Sequence, residues 1–355
     1  WAYSQVVESC VARGIFAYLL DHAVFGAIAA LVGLTNNLVF SPRSFSAIVY
    51  ANVTFAVLAQ YGDDLRPESV ATIAVISILL TGFLSGLWQM LIGGLGWGSL
   101  VKSIPYPIIS SLLNATALVM LLAQINPLLG ISREADISLL QNPVEYIQSI
   151  KILALVIGVV TIILMFKLRG QIFRIPSSMI ALAVGIGLYW GFSAAGFDAQ
   201  LGTTLPNTIS WDGVFGALTV VDTSDVTPKL MRISLDILTS SLFLATLNCI
   251  SAITASNIVS DKLLTQININ SVFFHHGWMN ALASLIGTAP GTAKSGATKA
   301  NIAEGGDGRI ASLTTAAGYF AILGFIPLLQ FIPREVLAAL AVVISYRLFD
   351  SYGRA

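Results

Sequence analysis

The sequence predicts an all-α polytopic membrane protein, and three observations lead there. Of the 355 residues, 56% are hydrophobic and only 10% are charged, where an ordinary soluble domain carries about 25% charged residues. The mean hydropathy is +0.83. Uncharged stretches follow one another along the chain, each near the roughly 20 apolar residues that a helical span needs. Water is therefore not the solvent around most of this surface, and the chain reads as one membrane-embedded bundle.

A charge at the bilayer centre is costly, so uncharged runs set the candidate spans. They cover 22–42, 44–62, 69–101, 103–132, 175–197, 237–260, 263–293 and 310–333. Residues 152–166 form a shorter apolar block that needs the preceding 146–150 turn, and Lys151, to cross. The segment 6–20 carries Glu8 and Arg13 and reads as an amphipathic or partner-facing helix, while 334–347 forms a last helix of moderate length. About ten or eleven passes or half-passes result.

Local signals mark several boundaries. Asp63, Asp64, Pro67 and Glu68 put acid and proline at the start of the helix containing Trp88. Pro105 and Pro107 interrupt at the mouth of the next helix, and residues 133–145 read as an extramembrane loop. Lys102 and the cluster Lys167, Arg169 and Arg174 fall on one side, which the positive-inside rule makes cytoplasmic. The acidic segment 198–225 then lies outside, and Lys262 and Arg347 lie inside again. A long non-helical region, 196–230, is expected to link a first half (1–195) to a second (231–355).

Several function classes are excluded. With 18 basic and 18 acidic residues the net charge is zero, so no nucleic-acid partner is expected. There is no nucleotide-binding glycine loop, zinc-protease spacing or nucleophile elbow, so the chain does not read as an enzyme and no cofactor is expected. Cys10 and Cys249 lack metal or redox spacing and read as packing residues. Adjacent His275 and His276 face different directions on a helix and read as structural or interfacial.

Two short regions interrupt apolar sequence in a similar way: 40–46 around Pro42 and Arg43, and 287–299 around Pro290, Lys294 and Thr298. Irregular backbone at membrane depth must be buried in protein or line a cavity. Broken helices leave unpaired N–H groups and a positive dipole end, so two of them facing one another make an anion site. Ordinary proline and glycine turns are the structural alternative. Lys294 and Lys299 flank the second break, where they attract an anion or snorkel to the headgroups.

Within 237–260, Asn248 and Ser251 share one helical face, suited either to interhelical hydrogen bonding or to a substrate. No carboxylate occurs in that stretch. Glu8, about one turn from Gln5, is the other candidate for coupling, with a surface position as its alternative.

The runs 82–130, with Leu84-Ser85-Gly86-Leu87-Trp88-Gln89 and Ile104-Pro105-Tyr106-Pro107-Ile108, and 280–291 with 301–309, together with Phe331-Ile332-Pro333-Arg334, resemble the sulfate permease family, also called solute carrier family twenty-six. The matches are ordered as in the family over roughly 20–347. The resemblance implies a seven-plus-seven transmembrane inverted repeat with core and gate domains, the last two helices and a cytoplasmic regulatory domain lying beyond this chain. It places the anion between the starts of the family's third and tenth helices, here 44–50 and 295–299, which makes Ser44, Ser46, Ser295, Gly296, Ala297, Thr298 and Lys299 the expected contacts; from the residue reading, Gln5 is a further candidate contact, and Glu8, Asn248 and Ser251 are candidates for coupling or gating. It also implies a homodimer in a plasma or inner membrane, with Na+ or H+ as coupling ion.

The sequence departs from the family where Gly296-Ala297-Thr298 replaces the usual Ser-Arg-Ser, and where the family's acids fall on Ser251 or Ala252 and on Val272. The leading expectation is secondary transport of a small anion such as sulfate or bicarbonate by elevator-like alternating access. Transport of another solute such as an amino acid, and a non-transporting membrane scaffold or sensor subunit, are the alternatives.

Overall fold

A computed structural model describes residues 2–32, 37–62, 64–65, 67–103, 105–131, 142–168, 171–172, 175–205, 226–264, 266–303, 305–306 and 308–349. Two compact units emerge, each assembled from two stretches of chain: Trp1–Pro105 with Thr208–Ile326, and Tyr106–Asn207 with Pro327–Ala355.

The first unit contains α1 (Ala2–Val32), β1 (Phe40–Pro42), α2 (Ser44–Tyr61), α3 (Pro67–Gly94) and α4 (Gly98–Lys102). From the later stretch it takes α10 (Val226–Arg232), α11 (Ser234–Leu263), α12 (Ile269–Leu285), β4 (Gly291–Ala293), α13 (Ser295–Ala303) and α14 (Gly308–Gly324). Four of its helical stretches, Gly14–Val32, Ser44–Tyr61, Ser69–Gly94 and Ser234–Leu263, are long and apolar enough to cross a bilayer. Helix α11 is built inside out: Ser240, Ser241, Asn248, Ser251 and Ser256 are buried, while Leu235 is 70% and Leu242 47% exposed. That pattern suits lipid, which rewards no burial of leucine but does reward close packing and internal polar pairing.

Helices α3 and α12 meet backbone to backbone. A Cβ on Gly86 would strike the Ala281 amide and the Gly277 carbonyl, and one on Gly93 would strike the Phe274 amide. Gly277 reciprocates against Gly86 and Met90. Glycines seven apart on α3, two helical turns, thus open a groove that only glycine leaves deep enough. Helix α12 starts on Asn268, whose side chain accepts from the amides of Asn270 and Ser271. It ends shortly before Gly287, which takes φ +82° and turns the chain towards β4.

The second unit contains α5 (Tyr106–Ala123), α6 (Ile125–Leu128), α7 (Pro143–Gln148), α8 (Ile152–Lys167), the β2–β3 hairpin (Gln171–Ile172 and Ile175–Pro176), α9 (Ser177–Ala194) and α15 (Arg334–Leu348). Its centre packs Ile157, Tyr189, Leu201 and Val336, with Met165, Ala181 and Val343 below. Helix α8 buries Ala154, Ile157, Gly158, Thr161 and Met165 and turns Ile152, Val156, Val159 and Ile163 outward at helical spacing, again a lipid-facing stripe.

Several boundaries differ from the sequence expectation. Residues 6–20 and the 22–42 run share the single helix α1, which continues through Asp21 to Val32. Residues 146–150 do not extend α8: Lys151 is extended at its N-cap, and the Lys151 amide donates to the Leu129 carbonyl, so α7 is a separate helix. Lys229 lies in α10 rather than in non-helical linker. Glu145 is helical, in α7; residues 132–141 and 206–225 of the expected loop and linker lie outside the described residues.

Candidate functional site

The two interruptions read from sequence pair with one another. Strands β1 and β4 form an antiparallel ladder with Phe40 opposite Ala293, Ser41 opposite Thr292 and Pro42 opposite Gly291. Proline biases the residue before it to extended backbone, which favours strand geometry at Ser41. Gly291 is required for the close approach, because a Cβ there would meet the Phe40 ring and the Ser41 backbone.

So short a ladder amid apolar helices needs partners along its edges. Gly291 N–H donates to Asn280 Oδ1 at 2.8 Å, and Ser251 Oγ donates to the Ala293 carbonyl at 3.0 Å. Thr292 Oγ1 donates to the Asn248 carbonyl at 3.0 Å and lies 3.3 Å from His276 Nδ1. Tyr18 Oη closes the other side on the Pro42 carbonyl at 2.9 Å.

Each strand runs directly into a helix. Pro42 is followed by Arg43 and the start of α2 at Ser44; Ala293 is followed by Lys294 and the start of α13 at Ser295. The two strand-to-helix connections tie together reciprocally. Val39 N–H donates to Thr298 Oγ1 at 3.2 Å, and Ser46 Oγ donates to the Pro290 carbonyl at 3.4 Å. Each hydroxyl in the first turn of one helix thus grips the residue just before the other strand.

The first amides of a helix have no intrahelical acceptor, and Arg43, the N-cap of α2, offers no side-chain cap. Positive dipole ends therefore sit at both helix starts, each preceded by a basic residue. Arg43 and Lys294 lie close enough for their charges to interact. Neither forms an ion pair among the described residues, although Arg43 lies 5.4 Å from the Phe45 ring centroid.

The candidates from sequence separate by environment. Ser46 and Thr298 are buried fasteners of the ladder. Ser44, Gly296, Lys294 and Lys299 are exposed, Ser295 and Ala297 intermediate, and nothing lies within 4 Å of a Cβ built on Gly296. Asn248 and Ser251 brace β4 from α11, and both side-chain atoms of the Asn248 amide lack a partner among the described residues. Gln5 and Glu8 fall in the first turns of α1; their side chains lie outside the described ones. His276 is buried and packs edge-on to the Phe40 ring.

Sequence reasoning missed Asp21. This carboxyl is fully buried within α1, where Thr288 Oγ1 donates to Oδ1 at 3.4 Å and Oδ2 has no partner among the described residues. Its signal in the sequence is a lone acid between two apolar stretches, which a rule that bounds spans by charge places at an edge.

A cavity of about 430 Å³ in the second unit is lined by Gly130, Gln148, Ser149, Lys151 and Gln200. Lys151 Nζ there donates to the Leu201 carbonyl at 2.8 Å, so its charge is already partnered. Among the described residues no group of three or more His, Cys, Asp or Glu is placed to hold a metal ion.

Inside-out helices, a glycine-seamed pair and two helices that begin at a buried ladder define an all-α polytopic integral membrane protein. The chain belongs to the Sulfate permease family, whose profile matches residues 2–354. It is 25% identical over 344 residues to the Bicarbonate transporter BicA of Picosynechococcus sp., covering 95% of this chain and 57% of that protein. It is 24% identical over 366 residues to the Anion exchange transporter of Mus musculus, covering 94% of this chain and 54% of that protein. The chain thus spans little more than half the length of these curated relatives. Its fold matches the transmembrane domain of a cyanobacterium bicarbonate transporter BicA with a TM-score of 0.77 at 22% identity, over 99% of this chain and 88% of that one. Murine Slc26a9 in the inward-facing state follows at 0.69 and 14% identity, over 97% of this chain and 58% of that one.

Proposed function

We propose that this chain is the membrane core of a secondary transporter for a small inorganic anion such as sulfate or bicarbonate, working by alternating access. The observation that carries it is the pair Arg43 and Lys294. Two basic side chains stand at equivalent positions before two helix starts, within interaction range and without a carboxylate partner among the described residues. Like charges held close together repel, and an anion between them turns repulsion into attraction. The unpaired amides of α2 and α13 add donors that need no further side-chain charge. The curated relatives' names, a bicarbonate transporter and an anion exchange transporter, support the same substrate class.

The reciprocal β1–α2 and β4–α13 pairing supports an inverted repeat, with the first unit as core and the second as gate. A homodimer and a cytoplasmic regulatory domain belong to the same proposal and rest on the family resemblance. Reconstitution into proteoliposomes tests it: saturable uptake of labelled sulfate or bicarbonate is expected, and no saturable uptake of any inorganic anion would overturn it.

A further inference from the structure

The proposed anion site has a buried acid behind it. Asp21 lies on α1 with 0% exposure, and it contacts the turn that feeds β4 through Thr288. Thr288 Oγ1 also donates to the Ala283 carbonyl at 2.9 Å, so its hold on Asp21 is shared, and Asp21 Oδ2 has no hydrogen-bond partner among the described residues. The groups facing this pocket from the surrounding elements are Tyr18 and His22 of α1, Tyr50 of α2 and Tyr319 of α14, with Arg43 and Lys294 beyond them. The Tyr18 and Tyr50 hydroxyls are within electrostatic reach of the carboxyl, and Arg43 acts on Tyr18 rather than on Asp21. No cation pairs with Asp21 among the described residues.

An ionised carboxylate so enclosed, with one weak donor and one empty oxygen, is uncompensated. A metal cation needs a shell of several oxygens, whereas a proton needs only the empty lone pair. We propose that Asp21 is the proton-binding residue of the transporter, and that its protonation favours anion occupancy at the α2 and α13 helix starts. The proposal rests on the anion-transport reading. The coupling is electrostatic and mechanical: a neutral Asp21 removes a negative charge behind the anion site, and it alters the grip on Thr288, two residues before Pro290. By linkage the effect is reciprocal, so bound anion strengthens proton binding and the pair crosses together.

Two measurements test this. In proteoliposomes, uptake of labelled sulfate by the unmodified chain is expected to rise when the outside is made acidic. Asp21→Asn, whose amide resembles the neutral carboxyl, is expected to show a flat pH profile, while His22→Asn keeps the response. In purified protein, a pH titration followed by infrared difference spectroscopy is expected to show the carbonyl stretch of a protonated carboxyl. That band should vanish in Asp21→Asn and shift in frequency in Thr288→Val. Anion uptake indifferent to pH, a response that His22→Asn abolishes, or an infrared band unchanged by Asp21→Asn would each overturn the proposal. Absence of uptake by the unmodified chain would instead strike the anion-transport reading, and the infrared titration then decides the role of Asp21 alone.

Discussion

Val39 and Thr298, 259 positions apart in the chain, share a buried hydrogen bond in which the Val39 amide donates to the threonine hydroxyl at 3.2 Å. The Lys294 amide returns a bond to the Val39 carbonyl at 2.9 Å, so one residue before β1 is clamped at both polar groups by the start of α13. Replacing Thr298 by valine keeps the shape and orphans the Val39 amide, at a cost of about 1–3 kcal/mol. A lowered thermal midpoint of the purified variant, with weaker stabilisation by added sulfate, is the expected result. Thr298→Phe, which no buried site of that size accommodates, should abolish sulfate binding outright.

Ser46 makes the mirror contact to the Pro290 carbonyl, but at 3.4 Å. Its longer geometry predicts a smaller loss, about 0.5–1 kcal/mol for Ser46→Ala. A thermal-unfolding comparison of the two variants that found Ser46→Ala the more damaging would contradict the assigned roles.

Neutralising either basic residue at the helix starts should weaken anion binding without unfolding the chain. Hydrogen bonds to charged groups are worth about 1.5–3 kcal/mol, which corresponds to roughly a 10–100-fold rise in Kd. Isothermal titration of Arg43→Gln and Lys294→Gln with sulfate checks this, and Lys294→Arg should restore most of the lost affinity.

The glycine seam predicts a structural failure of a different kind. Gly86→Leu places a side chain where Ala281 and Gly277 already press, so α3 and α12 must separate. Loss of a monodisperse peak in detergent is expected, while Gly187→Ala, with open space around its Cβ position, should behave as the parent.

In the second unit, Glu335 is fully buried and accepts from the Gly202 amide at 3.2 Å. Gly202 admits this approach because any Cβ would collide with the carboxylate. Glu335→Gln retains an acceptor for that amide and should fold, whereas Glu335→Leu leaves the amide unmet and lowers stability by about 1–3 kcal/mol, measurable as a shift in thermal midpoint.

Much of this architecture is legible in the chain because lipid imposes simple rules. Uncharged runs located α2, α3, α9 and α11 closely, and proline with glycine at membrane depth located both breaks. The polar face of α11 was equally visible, but whether Ser251 faced a neighbour or a ligand was not, since period alone cannot name the partner; its hydroxyl meets the Ala293 carbonyl. The β1–β4 pairing was not legible at all. Three-residue strands carry no readable alternation, and Pro42 and Pro290 suggest turns rather than a ladder. Asp21 escaped for the opposite reason: a rule that ends spans at charges treats the most informative acid as a boundary.

The ladder also bears on selectivity. Because Phe40 through Pro42 and Gly291 through Ala293 are paired rung by rung, the two halves of the proposed cradle are expected to move as one piece rather than part to release their cargo. An ion seated there would meet the same donors when picked up and when delivered, so discrimination among anions should be identical from either face of the membrane, whatever the direction of net flux.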